Sequence, residues 1–208
     1  MPFELWLAFV AASAVLLVIP GPVILTVISY SMAHGRRANL PLVAGVALGD
    51  STSLLFSLLG LGALLATSAV WFTVLKIAGG LYLLFLGIRM LRAGIAPVEA
   101  PSVAPSISAW RLFVNTYLVT ALNPKGMVFF VAFLPQFLDP RAHATPQLWI
   151  LGATFVVMAT TNATLYAVFA GSARRLLESP RAQRGLHLAG GSLLSGAGIW
   201  ALLARRPS

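Results

Sequence analysis

The chain has no cysteine, and only five of its 208 residues are acidic. The first absence excludes disulfides, thiol redox chemistry and thiolate metal sites. Charged residues of both signs make up 9% of the sequence, against about 25% in soluble domains. Polar linkers and low-complexity tails are missing as well, and the 18 glycines and 13 prolines sit largely inside apolar runs. Hydrophobic residues reach 59%. A soluble domain of this size leaves about a quarter to a third of its chain surface exposed, so so apolar a chain could not hide its surface from water. Soluble and disordered classes are excluded. The sequence reads as an all-α integral membrane protein.

Six apolar segments, roughly 4–33, 40–66, 70–92, 112–138, 147–172 and 186–204, are each long enough to cross a hydrocarbon layer, which takes about 20 residues. Polar or turn-like stretches connect them: HGRRAN at 34–39, a charge-free turn near 66–69, a Pro-rich loop at 93–110, DPRAHATP at 139–146 and ARRLLESPRAQRG at 173–185. The first segment starts without Lys or Arg, carries Glu4 and outruns a signal peptide, so it reads as a membrane helix. One transmembrane domain over 1–208 is expected.

A net charge of +9 would suggest nucleic acid in a soluble protein. Here the basic residues lie in short clusters between apolar segments, which makes them orientation signals at a lipid surface and excludes a nucleic-acid partner. Connections after the first, third and fifth segments hold nine of them: Arg36, Arg37, Arg89, Arg92, Arg111, Arg174, Arg175, Arg181 and Arg184. The opposite side holds three, Arg141, Arg205 and Arg206. Both termini are therefore expected outside the cytoplasm. The arginine-rich stretch at 174–184 sets topology or touches anionic lipid. His34 and His143 read as solvated loop residues, and the five tryptophans fall near helix ends as an aromatic belt.

Residues 77–88, IAGGLYLLFLGI, align without a gap with 188–199, LAGGSLLSGAGI. Three helices per half would start the second copy from the other face of the membrane, giving two inverted three-helix repeats of the kind found in secondary transporters. Repeat one covers about 1–93, a loop 94–110, and repeat two about 111–208. The first helix of each half is interrupted, by Pro20-Gly21-Pro22 and by Asn123-Pro124-Lys125-Gly126. Proline lacks an N–H and clashes with the preceding turn, so both helices should unwind there. Gly21 is expected to allow a backbone too tight for other residues, and Asn123 to cap the half-helix that follows. Unwound backbone at membrane depth belongs in protein or along a wet cavity.

Asp50 follows Gly45 and Gly49 within the second segment. A carboxylate at that depth costs about 2.5–3.5 kcal/mol on insertion scales, so it should face a cavity or a partner. It could carry a proton, hold a cation, anchor an ammonium group, or pair structurally with Lys76 or Lys125. Gly45 and Gly49 form a face that lets another helix come close. Half-helix N-termini after Pro22 and Lys125 would offer N–H groups to a carboxylate. Together these suggest a site for a zwitterion. Asn115, Tyr117, Thr120, Thr160, Thr161 and Asn162 could line the same path or hydrogen-bond between helices. His187 aligns with Lys76. Glycine faces on the second, third and sixth helices would permit a homodimer or pack the bundle internally.

The order PGP, AGVALGD at 44–50, LKIAGGLYLLFLG at 75–87, NPKG at 123–126 and FLPQF at 133–137 resembles the lysine-exporter and homoserine/threonine-resistance superfamily of bacterial inner-membrane amino-acid exporters. That resemblance implies export of amino acids or close derivatives, driven by protons or another coupling ion and needing no cofactor. It implies that Pro20, Gly21, Pro22, Asp50, Lys76, Asn123, Pro124 and Lys125 form or shape the translocation site. One membrane acid set against two lysines suits a neutral, zwitterionic amino acid better than a dibasic one. A divalent-cation exporter is the alternative within the superfamily, although one carboxylate and no thiol make a poor ligand set. An intramembrane enzyme would need a nucleophile motif that is absent, and an assembly factor would not need two broken helices.

Overall fold

The computed structural model describes residues 1–67, 69–92, 107–139 and 141–203. The described residues are helical throughout apart from short joints. Helix α1 runs Phe3–Val18, α2 Pro22–His34, α3 Arg36–Thr67 and α4 Ala69–Arg92. The second half comprises α5 Ala109–Ala121, α6 Pro124–Phe133, a 3-10 turn Leu134–Phe137, α7 Ala144–Val168, α8 Ala170–Glu178 and α9 Pro180–Leu203. The expected loop at 93–110 lies mostly outside the described residues.

Two of these helices, α3 over Arg36–Gly60 and α7, are long and apolar enough to cross a membrane, and the bent pair α1 and α2 makes a third such span. The pair turns through 55° at its break. All six expected apolar segments are helical. Two of the expected loops are not loops. HGRRAN shrinks to Gly35, whose φ of +68° suits glycine alone, and α3 begins at once with Arg36. The basic stretch at 173–185 is mostly helix, shared between α8 and the first turns of α9. Arginine and alanine favour helix strongly, and Arg174 pairs with Glu178 one turn on, at 2.8 Å. His34 is likewise no loop residue. It ends α2, half-buried, with its ring 6.0 Å from that of Tyr30.

Glycines decide which helices meet. A Cβ on Gly45 would lie 2.9 Å from that of Thr116, and one on Gly49 only 2.6 Å from that of Thr120, so α5 lies directly on this face of α3. Between α4 and α9, Gly80 faces Gly198 and Gly87 faces Gly191. These glycines are thus used inside the bundle, whereas Gly60 of α3 and Gly196 of α9 are exposed and meet nothing within 4 Å. The main core is aromatic: Phe129, Phe133 and Phe155 pack around α6 and α7, with Phe9 of α1 and Phe137 of the 3-10 turn against them.

Candidate substrate site

Because Pro20 and Pro22 cannot continue the helical ladder, α1 stops at Val18 and α2 restarts at Pro22. Gly21 sits at φ −111°, ψ −174°. That is extended backbone open to any residue, so the expected glycine-only conformation is not what the break uses. A helix end leaves four carbonyls without intrahelical partners. Two of those at the end of α1 are met from α7: the Asn162 side-chain amide donates to the Leu17 carbonyl at 3.0 Å, and the Tyr166 hydroxyl donates to that of Val18 at 2.9 Å.

The second break is shorter. After α5, Leu122 and Asn123 form a turn in which the Leu122 N–H donates to the Leu118 carbonyl at 3.0 Å and the Asn123 N–H to the Thr120 carbonyl at 3.1 Å. Asn123 then occupies the position before Pro124, the first residue of α6, and its carbonyl accepts from the Met127 N–H at 3.1 Å.

Both breaks open onto one cavity. Ile19 and Gly21 reach it from the first, Asn123 and Gly126 from the second, Asp50 from α3 and Asn162 from α7. Its remaining walls are apolar, with Leu16, Ile24, Val46, Phe155 and Ala159 among them. The open space is about 70 Å³, room for a few waters and too little for a free amino acid. Asp50 is half-buried there. Among the described residues no ion pair reaches it; the pair found in that set is Arg174–Glu178 at the surface. The first turns of α2 and α6, with their free N–H groups and positive dipole ends, both begin at this cavity.

The other expected residues are dispersed. Asn115 is exposed on α5 and donates to the Tyr30 hydroxyl at 3.4 Å. Tyr117 donates to Thr52 at 3.3 Å, while Thr120 is buried against Gly49. Thr160 and Thr161 bond back to Val156 and Val157 of their own helix. None of these five lines the cavity. Lys76 stands on α4 and Lys125 in the first turn of α6; their side chains lie outside the described residues.

Residues 14–205 match the family described as LysE type translocator. The chain belongs to that family. It is 35% identical to a homoserine/homoserine lactone efflux protein of Salmonella typhimurium, over 98% of each chain. An uncharacterized membrane protein of Vibrio cholerae is 32% identical, over 96% of this chain and 97% of its own. A leucine efflux protein of Klebsiella pneumoniae is 30% identical, over 75% of this chain and 71% of its own. No solved structure matches.

The protein is thus a LysE-type membrane translocator and not an enzyme. Two features of the site, the apolar walls of the cavity and Tyr166 beside the first break, are not among the expected residues. The apolar walls come from four helices, α1, α2, α3 and α7, and no local pattern announces them. Tyr166 was missed although it lies four residues after Asn162, on the same helical face. That spacing was the one signal available.

Proposed function

We propose that this translocator exports neutral, zwitterionic amino acids or their close derivatives by secondary active transport, coupled to inward proton movement through Asp50. The observation that carries the reading is the single cavity at which Asp50 meets both broken helices. A substrate carboxylate fits the N-termini of α2 and α6, where the dipole ends are positive, and its ammonium fits the Asp50 carboxylate. A proton and an ammonium cannot both occupy that carboxylate, so binding one releases the other. That competition is the requirement for antiport. The relatives named for homoserine, homoserine lactone and leucine efflux add support for a neutral cargo. The cavity's apolar lining, which among the described residues offers no second carboxylate to a basic side chain, points the same way.

Six spans in two inverted repeats, in one domain, form part of this proposal. Its support is the reciprocity of α4 and α9. With the offset of the aligned glycine blocks, Gly80 corresponds to Gly191, Leu84 to Ser195, Gly87 to Gly198 and Leu91 to Leu202. Gly80 meets Leu202 while Gly191 meets Leu91, and Gly87 meets Ser195 while Gly198 meets Leu84. Contacts that swap in this way are what a two-fold relation between the halves produces. In a bacterial inner membrane, the arginine imbalance supports an orientation with both termini outside the cytoplasm.

The deciding experiment measures efflux from proteoliposomes loaded with labelled neutral, basic and acidic amino acids, with and without a pH gradient. Neutral amino acids are expected to move with the gradient, and Asp50→Asn to reduce that flux to background. Gradient-driven flux that survives in Asp50→Asn would remove Asp50 from coupling. No flux of any amino acid from folded protein would overturn the amino-acid reading.

A further inference from the structure

The central cavity is one of two spaces that meet at the seam between α1 and α7. The other is a groove of about 260 Å³ on the outer flank of that seam. Its walls include Val18, Val157 and Leu165, with Thr161, whose hydroxyl is bonded to the Val157 carbonyl, and no charged residue borders it among the described residues. Val157 and Leu165 leave 65% and 53% of their surface open on a helix apolar and long enough to span the membrane, so the groove faces lipid. Leu17 and Asn162 border both spaces. The partition between bilayer and central cavity is therefore one residue thick.

Hydrogen bonds hold that partition shut. The Asn162 amide is fixed to the Leu17 carbonyl at 3.0 Å, and one turn further along α7 the Tyr166 hydroxyl is fixed to that of Val18 at 2.9 Å. Both acceptors are end-of-helix carbonyls freed by the first break, so neither bond is needed to keep the α1 ladder intact. We propose that this seam is a side gate, through which a membrane-partitioned amphiphile of zero net charge passes between the bilayer and the central cavity.

The chemistry of the walls selects that ligand class. A charged molecule in the groove would bring its charge into an apolar, lipid-facing space without a counter-charge, which is costly at membrane depth. An uncharged apolar body matches the walls, and a small polar head can take up the Asn162 amide as it leaves the Leu17 carbonyl. The exchange replaces one hydrogen bond with another, so the ligand itself lowers the cost of opening. A net hydrogen bond of this kind shifts such an equilibrium by about two- to tenfold.

The gate rests on the translocator reading, and its test separates the two. Because the chain has no cysteine, Ala159→Cys places a single thiol in the wall of the central cavity, at a buried residue that does not border the groove. In proteoliposomes the full chain is labelled either with a long-chain alkyl maleimide partitioned into the bilayer or with a charged, impermeant methanethiosulfonate present on both sides. Tyr166→Phe and Asn162→Leu, each in that background, are expected to speed alkyl-maleimide labelling by about two- to tenfold and to leave the charged reagent's rate unchanged. Equal acceleration of both reagents, or of neither, overturns the gate. Tyr166→Phe removes a single oxygen and keeps the test decisive if Asn162→Leu fails to fold. Amino-acid flux is read on vesicles of the unsubstituted chain: its absence there counts against the transport reading alone, while reagent selectivity judges the gate alone.

Discussion

A methyl group is enough to test how the site is held together. On Gly49 it would stand 2.6 Å from the Thr120 Cβ and 3.0 Å from the Tyr117 carbonyl, on a neighbouring helix that cannot turn aside. Overpacking of that kind costs about 1–3 kcal/mol. Since Asp50 is the next residue and α5 leads directly into the second break, the displaced helix shifts Asp50 and Asn123 relative to each other at the cavity. Gly49→Ala is therefore expected to lower the thermal stability of purified protein and to reduce gradient-driven flux together. Gly171 meets nothing within 4 Å of its added Cβ. There, alanine should be neutral or gain up to about 1 kcal/mol from helix propensity. Thermal unfolding of the two variants side by side checks both; equal effects would mean that the close approach at Gly49 is not what seats α5.

At the scale of elements, helices were legible in the sequence wherever an apolar run was long, and both breaks were legible because proline leaves the ladder no alternative. Joints were less so. Arg36 and Arg37 look like a polar loop, yet they continue a helix because Gly35 alone makes the turn. The arginines of α8 also read as loop, since a cluster of charge in a membrane chain masks the helix propensity of arginine and alanine. In the site, Asp50 and the broken segments could be found because each violates a membrane rule. Asn162 and Tyr166 act on carbonyls 145 and 148 residues away in the chain, and no local pattern encodes that distance.

The contacts of α4 and α9 give the repeat reading a sharper form. A Cβ on Gly198 would meet backbone atoms, the Leu84 nitrogen at 2.7 Å and the Gly80 oxygen at 2.8 Å, whereas one on Gly80 first meets the side chain of Leu202 at 2.9 Å. A leucine side chain can rotate; a helix backbone cannot. Gly198→Ala should thus lower the melting temperature more than Gly80→Ala. If the halves are related by a two-fold, Gly87→Ala should behave like Gly198→Ala, because Gly87 is its counterpart. A melting series of these three variants in detergent tests the relation, and a Gly87→Ala variant as mild as Gly80→Ala would break it.

For the whole molecule, a cavity of about 70 Å³ leaves no room for cargo, so cargo enters only when a half-helix moves. The two half-helices are held very differently. α6 brings Phe129 and Phe133 into a stacked pair at 4.2 Å, and Phe155 of α7 lies 5.0 Å from Phe129 and 4.9 Å from Phe130. Interlocked rings of this kind bury large areas and resist shear. By contrast, α2 is held by aliphatic contacts without interlocked rings: Val27 packs with Leu42, Val46, Leu112 and Ala163, and the flank facing α8 rests on a small cluster of Ile24, Ile28 and Ala170. α2 also joins α1 only through the 55° bend, so it can swing without tearing a helical ladder. The first motion on binding should accordingly belong to α2 with α8, while α6 stays as the fixed wall. Hydrogen exchange of the protein in nanodiscs, with and without a transported amino acid, reads this directly. Cargo should change the protection of residues 22–34 and 170–178 and leave 127–137 as they were. A change confined to 127–137 would reverse the assignment, and equal changes in both would show that the aromatic cluster does not anchor α6.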